Sequence, residues 1–151
     1  MASKIPASYS RVIQSTPSAI VEACRWVLDR VEANNFSQED IFAVHLALEE
    51  AFLNALKHGS KMSPDKAIKI DCAVGQDKVE IAMTDEGNGF DPDAVPDPRY
   101  GENLYKTRGR GLFLIRSYMD VVEFNKRGNR ICMTRYKEKP RLMEIQSRTQ
   151  T

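Results

Sequence analysis

The 151-residue chain has few cysteines, almost no net charge and no long apolar run. Cys24, Cys72 and Cys132 lie far apart and form no C-x-x-C pair, which argues against a disulfide framework and against a zinc site. We interpret them as small buried hydrophobic residues. The 22 Lys and Arg side chains against 21 Asp and Glu leave a net charge of +1, so no overall field attracts nucleic acid or an anionic membrane.

A membrane-spanning helix is not expected, because no window approaches the roughly 18 to 20 consecutive apolar residues that one requires. Residues 1–11 lack the apolar core of a signal peptide, so the expected location is the cytoplasm. Hydrophobic residues make up 42% of the chain and charged residues 28%, which is enough apolar surface for a core. The length predicts one domain over 1–151, with polar tails at about 1–7 and 138–151.

Apolar residues at helical spacing predict two consecutive helices in the first 60 residues. The first is expected to begin at Pro17 and to end before Asn34. Ser37 opens the second, and Asp40, three residues further on, resembles its partner in a capping box. This second helix is predicted to run to about Gly59.

Strand-forming residues predict five strands, and in the second and third of them apolar residues alternate with polar ones. In chain order they cover 8–14, 66–74, 79–83, 121–124 and 131–136. Between Asp85 and Gly111 glycine and proline accumulate over roughly 25 residues, a loop length that is usually functional or disordered. A short helix from Leu112 to Met119 follows it. Strands paired through hairpins, with grouped helices, indicate an α+β two-layer sandwich: a mostly antiparallel sheet covered on one face by helices.

Polar residues of the second helix lie opposite its apolar stripe. The stripe consists of Ile41, Val44, Leu48, Phe52 and Ala55. Glu50, Asn54 and Lys57 are explained by the solvated side of an amphipathic helix, and His58 by a helix-end cap. The alternative is chemical, because a carboxylate serves as a general base and an amide oxygen suits magnesium. Taken alone, this helix leaves both interpretations open.

Two glycine-containing segments flank the long loop. Asp85-Glu86-Gly87-Asn88-Gly89-Phe90 directly follows a strand. An ordinary turn explains it as well as a site in which backbone approaches a flat ring and a carboxylate accepts an exocyclic amine. Gly109-Arg110-Gly111-Leu112 precedes a helix, where unpaired amides and the helix dipole suit phosphate oxygens.

The three segments E-x-x-x-N-x-x-K-H, D-x-G-x-G-F and G-R-G-L, in this order, resemble the N, G1 and G2 boxes of the histidine-kinase-like ATPases. This family is also called the GHKL or Bergerat-fold family, and the resemblance covers about residues 9–136. The box A-L-E-E-A-F-L-N-A-L-K-H-G and the stretch P-D-P-R-Y-G-E-N-L-Y-K-T-R-G-R-G-L-F-L-I-R-S-Y-M-D are similar to its anti-sigma factor and serine-protein kinase branch. The resemblance implies the Bergerat ATPase fold, with ATP and Mg²⁺ as cofactors.

The resemblance also implies a role for each matching residue. Glu50 matches the carboxylate that polarises the attacking nucleophile, and its spacing to Asn54 favours it over its neighbour Glu49. Asn54 matches the amide that holds magnesium between the nucleotide phosphates. Asp85 matches the acceptor of the adenine amino group, beside which Gly87 and Gly89 shape the wall next to the base.

The remaining matches lie near the phosphates. Gly109 and Gly111 match the glycines that place amides at the phosphate oxygens, and the stretch 92–108 matches the ATP lid. Four further positions are implied nucleotide contacts: Lys57, His58, Arg110 and Leu112. The sequence departs from the family at the final hairpin, where many members carry a Thr after the glycine that helps to bind adenine through water. Here Gly128 is followed by Asn129, so this contact stays open.

The implied function is an ATP-binding anti-sigma regulatory factor. It would act as a Mg-ATP-dependent protein serine/threonine kinase on a STAS-type anti-anti-sigma partner, and would otherwise sequester a sigma factor. The alternative is a nucleotide-gated protein-binding module without kinase turnover, against which the presence of Glu50 argues. The detached ATPase half of a histidine kinase is disfavoured, since no helix with a phosphoacceptor His precedes the domain. No direct nucleic-acid or membrane partner is expected, and a homodimer is compatible with the sequence.

Overall fold

The computed structural model describes residues 7–59, 65–87 and 107–137. Five strands form one sheet: β1 (Ala7–Gln14), β2 (Ala67–Val74), β3 (Lys78–Asp85), β4 (Val121–Phe124) and β5 (Arg130–Tyr136). Their spatial order is β1-β2-β3-β5-β4. Every neighbouring pair is antiparallel, which confirms the predicted α+β class and its antiparallel sheet.

Three α-helices are described: α1 (Pro17–Ala33), α2 (Gln38–Asn54) and α3 (Thr107–Tyr118). The predicted starts of the first two helices are confirmed, because each has a side-chain cap that satisfies an amide of its first turn. The Thr16 hydroxyl accepts from the Ala19 N–H at 3.3 Å, and the Ser37 hydroxyl accepts from the Asp40 N–H at 3.0 Å. Within the described ranges, no helix combines the length and apolar character that crossing a bilayer requires.

The core lies between one face of the sheet and the helices, because alternate strand residues point to the same face. From the strands it receives Ile68, Ile70, Val74, Val79, Ile81, Met83 and Met133, all buried. From the helices, Leu48, Phe52 and Ile115 are fully buried against them. Of the stripe predicted on α2, Ile41 alone is only half-buried. Each fully buried large apolar side chain contributes about 1.5–3 kcal/mol to the free energy of unfolding, so this layer stabilises the packing of the helices on the sheet.

Two helix boundaries differ from the prediction. The α-helical part of α2 ends at Asn54, and the following Ala55–Gly59 forms a π-helical turn. Helix α3 begins at Thr107 rather than at Leu112, so the two glycines of its first turns lie inside the helix. Glycine lowers helix propensity and interrupts the apolar spacing, which is why the sequence pattern places the start too late. Contact with α2 stabilises these first turns in the folded protein.

Several predictions fall outside the described residues. Gly89 and most of the predicted lid lie within 88–106, and both predicted tails lie largely within 1–6 and 138–151. They therefore stay predictions.

The cysteines are free thiols, as predicted, but they are not all buried. Cys24 and Cys72 are buried, and burial raises the pKa of each thiol from 9.0 to about 11. Cys132 is half-buried, because it points to the face of the sheet opposite the core residues Ile131 and Met133; partial burial still raises its pKa. The thiols are therefore protonated at neutral pH and poor nucleophiles.

Candidate functional site

The site begins at the C-terminal end of α2, where Glu50 and Asn54 are half-buried. Residues four apart project from the same side of an α-helix, so the carboxylate and the amide are neighbours on one face. Lys57, in the π-helical turn that follows, is exposed. The opposite side of the helix carries Ala51 and Phe52 into the core. Because Glu50 and Asn54 are partly covered, the face that carries them is not fully exposed to solvent, unlike the solvated side of an amphipathic helix.

Helix α3 covers this face at Gly111. A Cβ atom built on Gly111 would lie 3.1 Å from Glu50 Oε2, 3.2 Å from Asn54 Nδ2 and 3.5 Å from Asn54 Oδ1. Glycine inside a helix costs about 1 kcal/mol relative to alanine, and Gly111 does not have the positive φ that would require it. The close approach makes its role steric, since a Cβ at this position would push both polar side chains away from α3.

The two adjacent carboxylates of α2 have different surroundings. Glu49 Oε1 pairs with His45 Nε2 at 2.9 Å, and the two side chains are 54% and 47% exposed. His45 is thus half-exposed. Glu50 is the carboxylate that faces α3 at Gly111. The choice of Glu50 over Glu49 as the candidate base stays a prediction.

The first turns of α3 combine a buried anchor with exposed polar groups. Leu112 is 2% exposed and packs into the core, whereas Arg110 is exposed. Gly109 lies in the first turn, whose amides have no partner within the helix and carry the positive end of the helix dipole. Such amides suit an anionic ligand.

Asp85 lies at the C-terminal end of β3 and is half-buried. Its Oδ1 accepts from the Gly87 N–H at 2.7 Å, and its own N–H donates to the Asn129 carbonyl at 2.9 Å. Among the described glycines only Gly128 has a positive φ, of 77°, so Gly87 is not required by a left-handed backbone. The side chain of Asp85 therefore organises the turn, which fixes the carboxylate at the strand end.

The π-helical turn connects these two regions. It begins directly after Asn54 and contacts β3, the strand that ends in Asp85. π-helical turns are rare and occur frequently at functional sites. The turn also contains His58, whose side chain lies outside what the structure describes. The fold thus brings Glu50, Asn54 and Gly111 into contact and places the strand of Asp85 next to the same turn.

The donor set at the end of α2 determines which metal it suits. In the described part of the chain, no group of three His, Cys, Asp or Glu side chains is arranged to hold a metal ion. The Asn54 amide oxygen and the Glu50 carboxylate are hard oxygen donors next to each other. They fit Mg²⁺, which takes few protein ligands and keeps positions for water and phosphate oxygens.

Asn125 opens the turn between β4 and β5 and was not among the residues predicted from the sequence. Its Oδ1 accepts from the N–H groups of Gly128, Asn129 and Arg130 at 2.8, 3.1 and 3.2 Å. An Asn at the start of a tight turn, three residues before a glycine, was the available signal. Asn129, whose contact with adenine stays a prediction, donates its Nδ2 to the Asp85 carbonyl at 3.1 Å.

Comparison with known proteins agrees with this arrangement. The family model for the histidine kinase-like ATPase domain matches residues 13–135. Serine-protein kinase RsbW of Listeria monocytogenes serotype 4a (strain HCC23) is 33% identical over 108 residues, covering 67% of this chain and 69% of the relative. Serine-protein kinase RsbW of Bacillus subtilis (strain 168) is 28% identical over 142 residues, covering 88% and 82% respectively. The chain therefore belongs to the histidine kinase-like ATPase domain family.

Proposed function

We propose that this protein is an anti-sigma regulatory factor that acts as a Mg-ATP-dependent protein serine/threonine kinase on a STAS-type anti-anti-sigma partner. The observation that carries the proposal is the close approach of Gly111 to both Glu50 and Asn54. This approach brings a carboxylate, an amide oxygen and the amide-rich start of a helix together, which supports the roles proposed for them below. The family membership and the relatives named serine-protein kinase RsbW support the same activity.

The nucleotide would lie between β3 and the start of α3. The Asp85 carboxylate would accept a hydrogen bond from the adenine amino group, with Gly87 and Gly89 beside the base. The first-turn amides around Gly109 would bind phosphate oxygens, and Gly111 keeps that turn next to Asn54. The further nucleotide contacts in this proposal are Lys57, His58 and Arg110, while Leu112 anchors the start of α3 in the core.

Asn54 would hold Mg²⁺ through its amide oxygen, with the phosphates and water as the other ligands. When bound, magnesium supplies positive charge that neutralises the phosphate oxygens during transfer. Glu50 is adjacent to this position and can also orient a magnesium-bound water.

Glu50 would act on the hydroxyl of a serine supplied by the partner. The hydroxyl oxygen forms a bond to the γ-phosphorus, the bond from that phosphorus to the β,γ-bridging oxygen breaks, and ADP leaves. The hydroxyl proton passes to the Glu50 carboxylate, which acts as the general base. Catalysis of this kind consists largely of positioning and charge stabilisation.

Phosphorylation would also switch partners. A phosphoserine carries about −1.5 to −2 charges, so the modified STAS partner would be repelled from the acidic nucleotide it faces. The released kinase would then be available to bind its sigma factor. The switch requires only that the two partners exclude each other.

Asp85→Asn tests the nucleotide site. Saturating Mg-ATP is expected to raise the melting temperature of the wild-type protein, because a ligand that binds only the folded state stabilises it. The substituted side chain would face the adenine amine with a neutral amide in place of a charged acceptor. Losing a hydrogen bond to a charged group costs about 1.5–3 kcal/mol, so most of the nucleotide-dependent shift should disappear.

The matched control for this test is Asp77→Asn, at the other end of the same strand, where Asp77 is exposed in the β2–β3 turn. It should keep the full shift. The melting temperature of the wild-type protein could also stay unchanged with Mg-ATP while the protein still captures a STAS or sigma partner. That result would support a partner-binding protein that needs no nucleotide. An Asp85→Asn variant with an undiminished shift would remove Asp85 from the proposed site.

Gly111→Ala separates the site from the stability of the fold. The added Cβ would meet Glu50 Oε2 and Asn54 Nδ2 at 3.1 and 3.2 Å, so both side chains must move. Alanine improves helix propensity by about 1 kcal/mol, which offsets the steric cost to the free energy of unfolding. We expect little change in the melting temperature without ligand and about a tenfold loss of Mg-ATP affinity, measured by calorimetry.

Ser117→Ala is the control for this substitution, since Ser117 is exposed near the other end of α3 and its hydroxyl donates to the Phe113 carbonyl of its own helix. It should leave Mg-ATP affinity unchanged. If Gly111→Ala binds Mg-ATP as tightly as the wild-type protein, Asn54 does not depend on the close approach of α3.

A further inference from the structure

The side chain of Asn125 joins the backbone hydrogen bonds that hold the turn between β4 and β5. Asn125 Oδ1 accepts three backbone N–H groups, those of Gly128, Asn129 and Arg130. Its other polar atom, Nδ2, donates to Asn129 Oδ1 at 2.7 Å. Asn125 therefore fixes both the backbone of the turn and the orientation of the Asn129 amide.

Asn129 in turn bonds both backbone polar groups of Asp85, its N–H and its carbonyl. The Asn129 carbonyl accepts from the Asp85 N–H at 2.9 Å, and Asn129 Nδ2 donates to the Asp85 carbonyl at 3.1 Å. The regular pairing of β3 with β5 ends one residue earlier, at Thr84 and Arg130. The Asn129 side chain thus extends the anchoring of β3 to the residue whose carboxylate begins the next turn.

We infer that Asn125 and Asn129 are positioning residues that set the preference of this protein for adenine nucleotides, by fixing the backbone from which the Asp85 carboxylate projects. The inference rests on the proposed function, in which Asp85 accepts the adenine amine. Neither asparagine needs to contact the nucleotide. A hydrogen bond to an exocyclic amine discriminates between bases only if the acceptor is held in place before binding.

The orientation of the Asn129 amide is decided by Asn125. Asn129 can donate to the Asp85 carbonyl only while its Oδ1 faces a donor, and that donor is Asn125 Nδ2. In an Asn125→Asp variant the carboxylate still accepts the three turn amides but offers no donor. The Asn129 amide would then rotate to donate to the new carboxylate, leaving its oxygen against the Asp85 carbonyl, and the anchoring bond would be lost.

The experiment compares two nucleotides in the wild-type protein and in Asn125→Asp and Asn129→Ala variants. The ligands are Mg-ATP and the magnesium complex of purine riboside triphosphate, which lacks only the exocyclic amine, and affinities are measured by calorimetry. The wild-type protein should prefer ATP by about tenfold or more. In both variants we expect weaker ATP binding and unchanged binding of the analogue. The two affinities should then differ by no more than about threefold.

The ratio of the two affinities is compared, because the negative charge that Asn125→Asp adds acts equally on two ligands with the same phosphates. Asn34 supplies the matched controls, since its Nδ2 caps the Arg30 carbonyl at the end of α1. Asn34→Asp and Asn34→Ala should keep the wild-type preference. Melting temperatures measured without nucleotide check that each variant is folded.

Other outcomes would overturn the inference in distinguishable ways. If the wild-type protein prefers ATP and both variants keep that preference, the two asparagines do not position Asp85, while the proposed function stands. If the variants lose both nucleotides by the same factor, the turn has only a structural role. If the wild-type protein binds neither nucleotide, the proposed function fails together with the inference.

Discussion

Replacing Glu50 with Gln is expected to lower the rate of serine phosphorylation by about 10²–10⁴-fold, the range that a positioned general base contributes. Glutamine has nearly the shape of glutamate, so the contact with α3 at Gly111 is retained. Its amide cannot accept the proton of the partner's hydroxyl. Transfer of radiolabelled phosphate from ATP to a purified STAS partner measures the rate, and the melting shift with Mg-ATP should remain close to that of the wild-type protein.

The neighbouring carboxylate provides the control. Glu49 is more than half exposed and pairs with His45, so Glu49→Gln should phosphorylate the partner at close to the wild-type rate. A Glu50→Gln variant that phosphorylates normally would show that another group accepts the proton. If Glu49→Gln were the inactive variant instead, the base would lie on the solvent side of α2.

Local patterns in the sequence were sufficient to predict the order and type of the helices and strands. Strand-forming residues predicted β4 within the same bounds, Val121–Phe124, and Pro17 and Ser37 located the starts of the first two helices. These features depend on neighbours within a few residues. The polar face of α2 was also visible as Glu50 and Asn54 at helical spacing, although its partial burial depends on the packing of α3.

The features that could not be predicted depend on contacts between distant segments. The reason for Gly111 lies on another helix, in the position of Glu50 and Asn54, so its glycine looked like a loop residue. The bond from Asn129 to Asp85 joins residues 44 apart and follows from the pairing of β3 with β5. Propensity and periodicity carry no information about such pairs, which are set by the topology of the sheet.

The ion pair between Asp40 and Arg135 is a third such contact, and removing one partner is expected to destabilise the fold by about 3–5 kcal/mol. Asp40 is fully buried and Arg135 is 12% exposed, with Oδ1 and Nε 2.8 Å apart. Arg135 also donates to the Tyr118 carbonyl at the end of α3, so one side chain connects β5 with both α2 and α3. Against a total stability of about 5–15 kcal/mol for a small domain, Asp40→Ala and Arg135→Ala should both lower the urea midpoint strongly.

A double-mutant cycle separates two causes of this destabilisation: the lost attraction between the charges, and the cost of a buried charge that has lost its partner. Each single variant leaves the other charged group buried without its partner, so the double variant Asp40→Ala/Arg135→Ala should cost less than the sum of the two single changes. The more exposed pair of Asp71 and Arg130, 3.3 Å apart with side chains 32% and 42% exposed, is the control, and Asp71→Ala should cost no more than about 1 kcal/mol. Additive costs at Asp40 and Arg135 would contradict this, because they would mean that the two charges do not depend on each other and that the loss arises from packing alone.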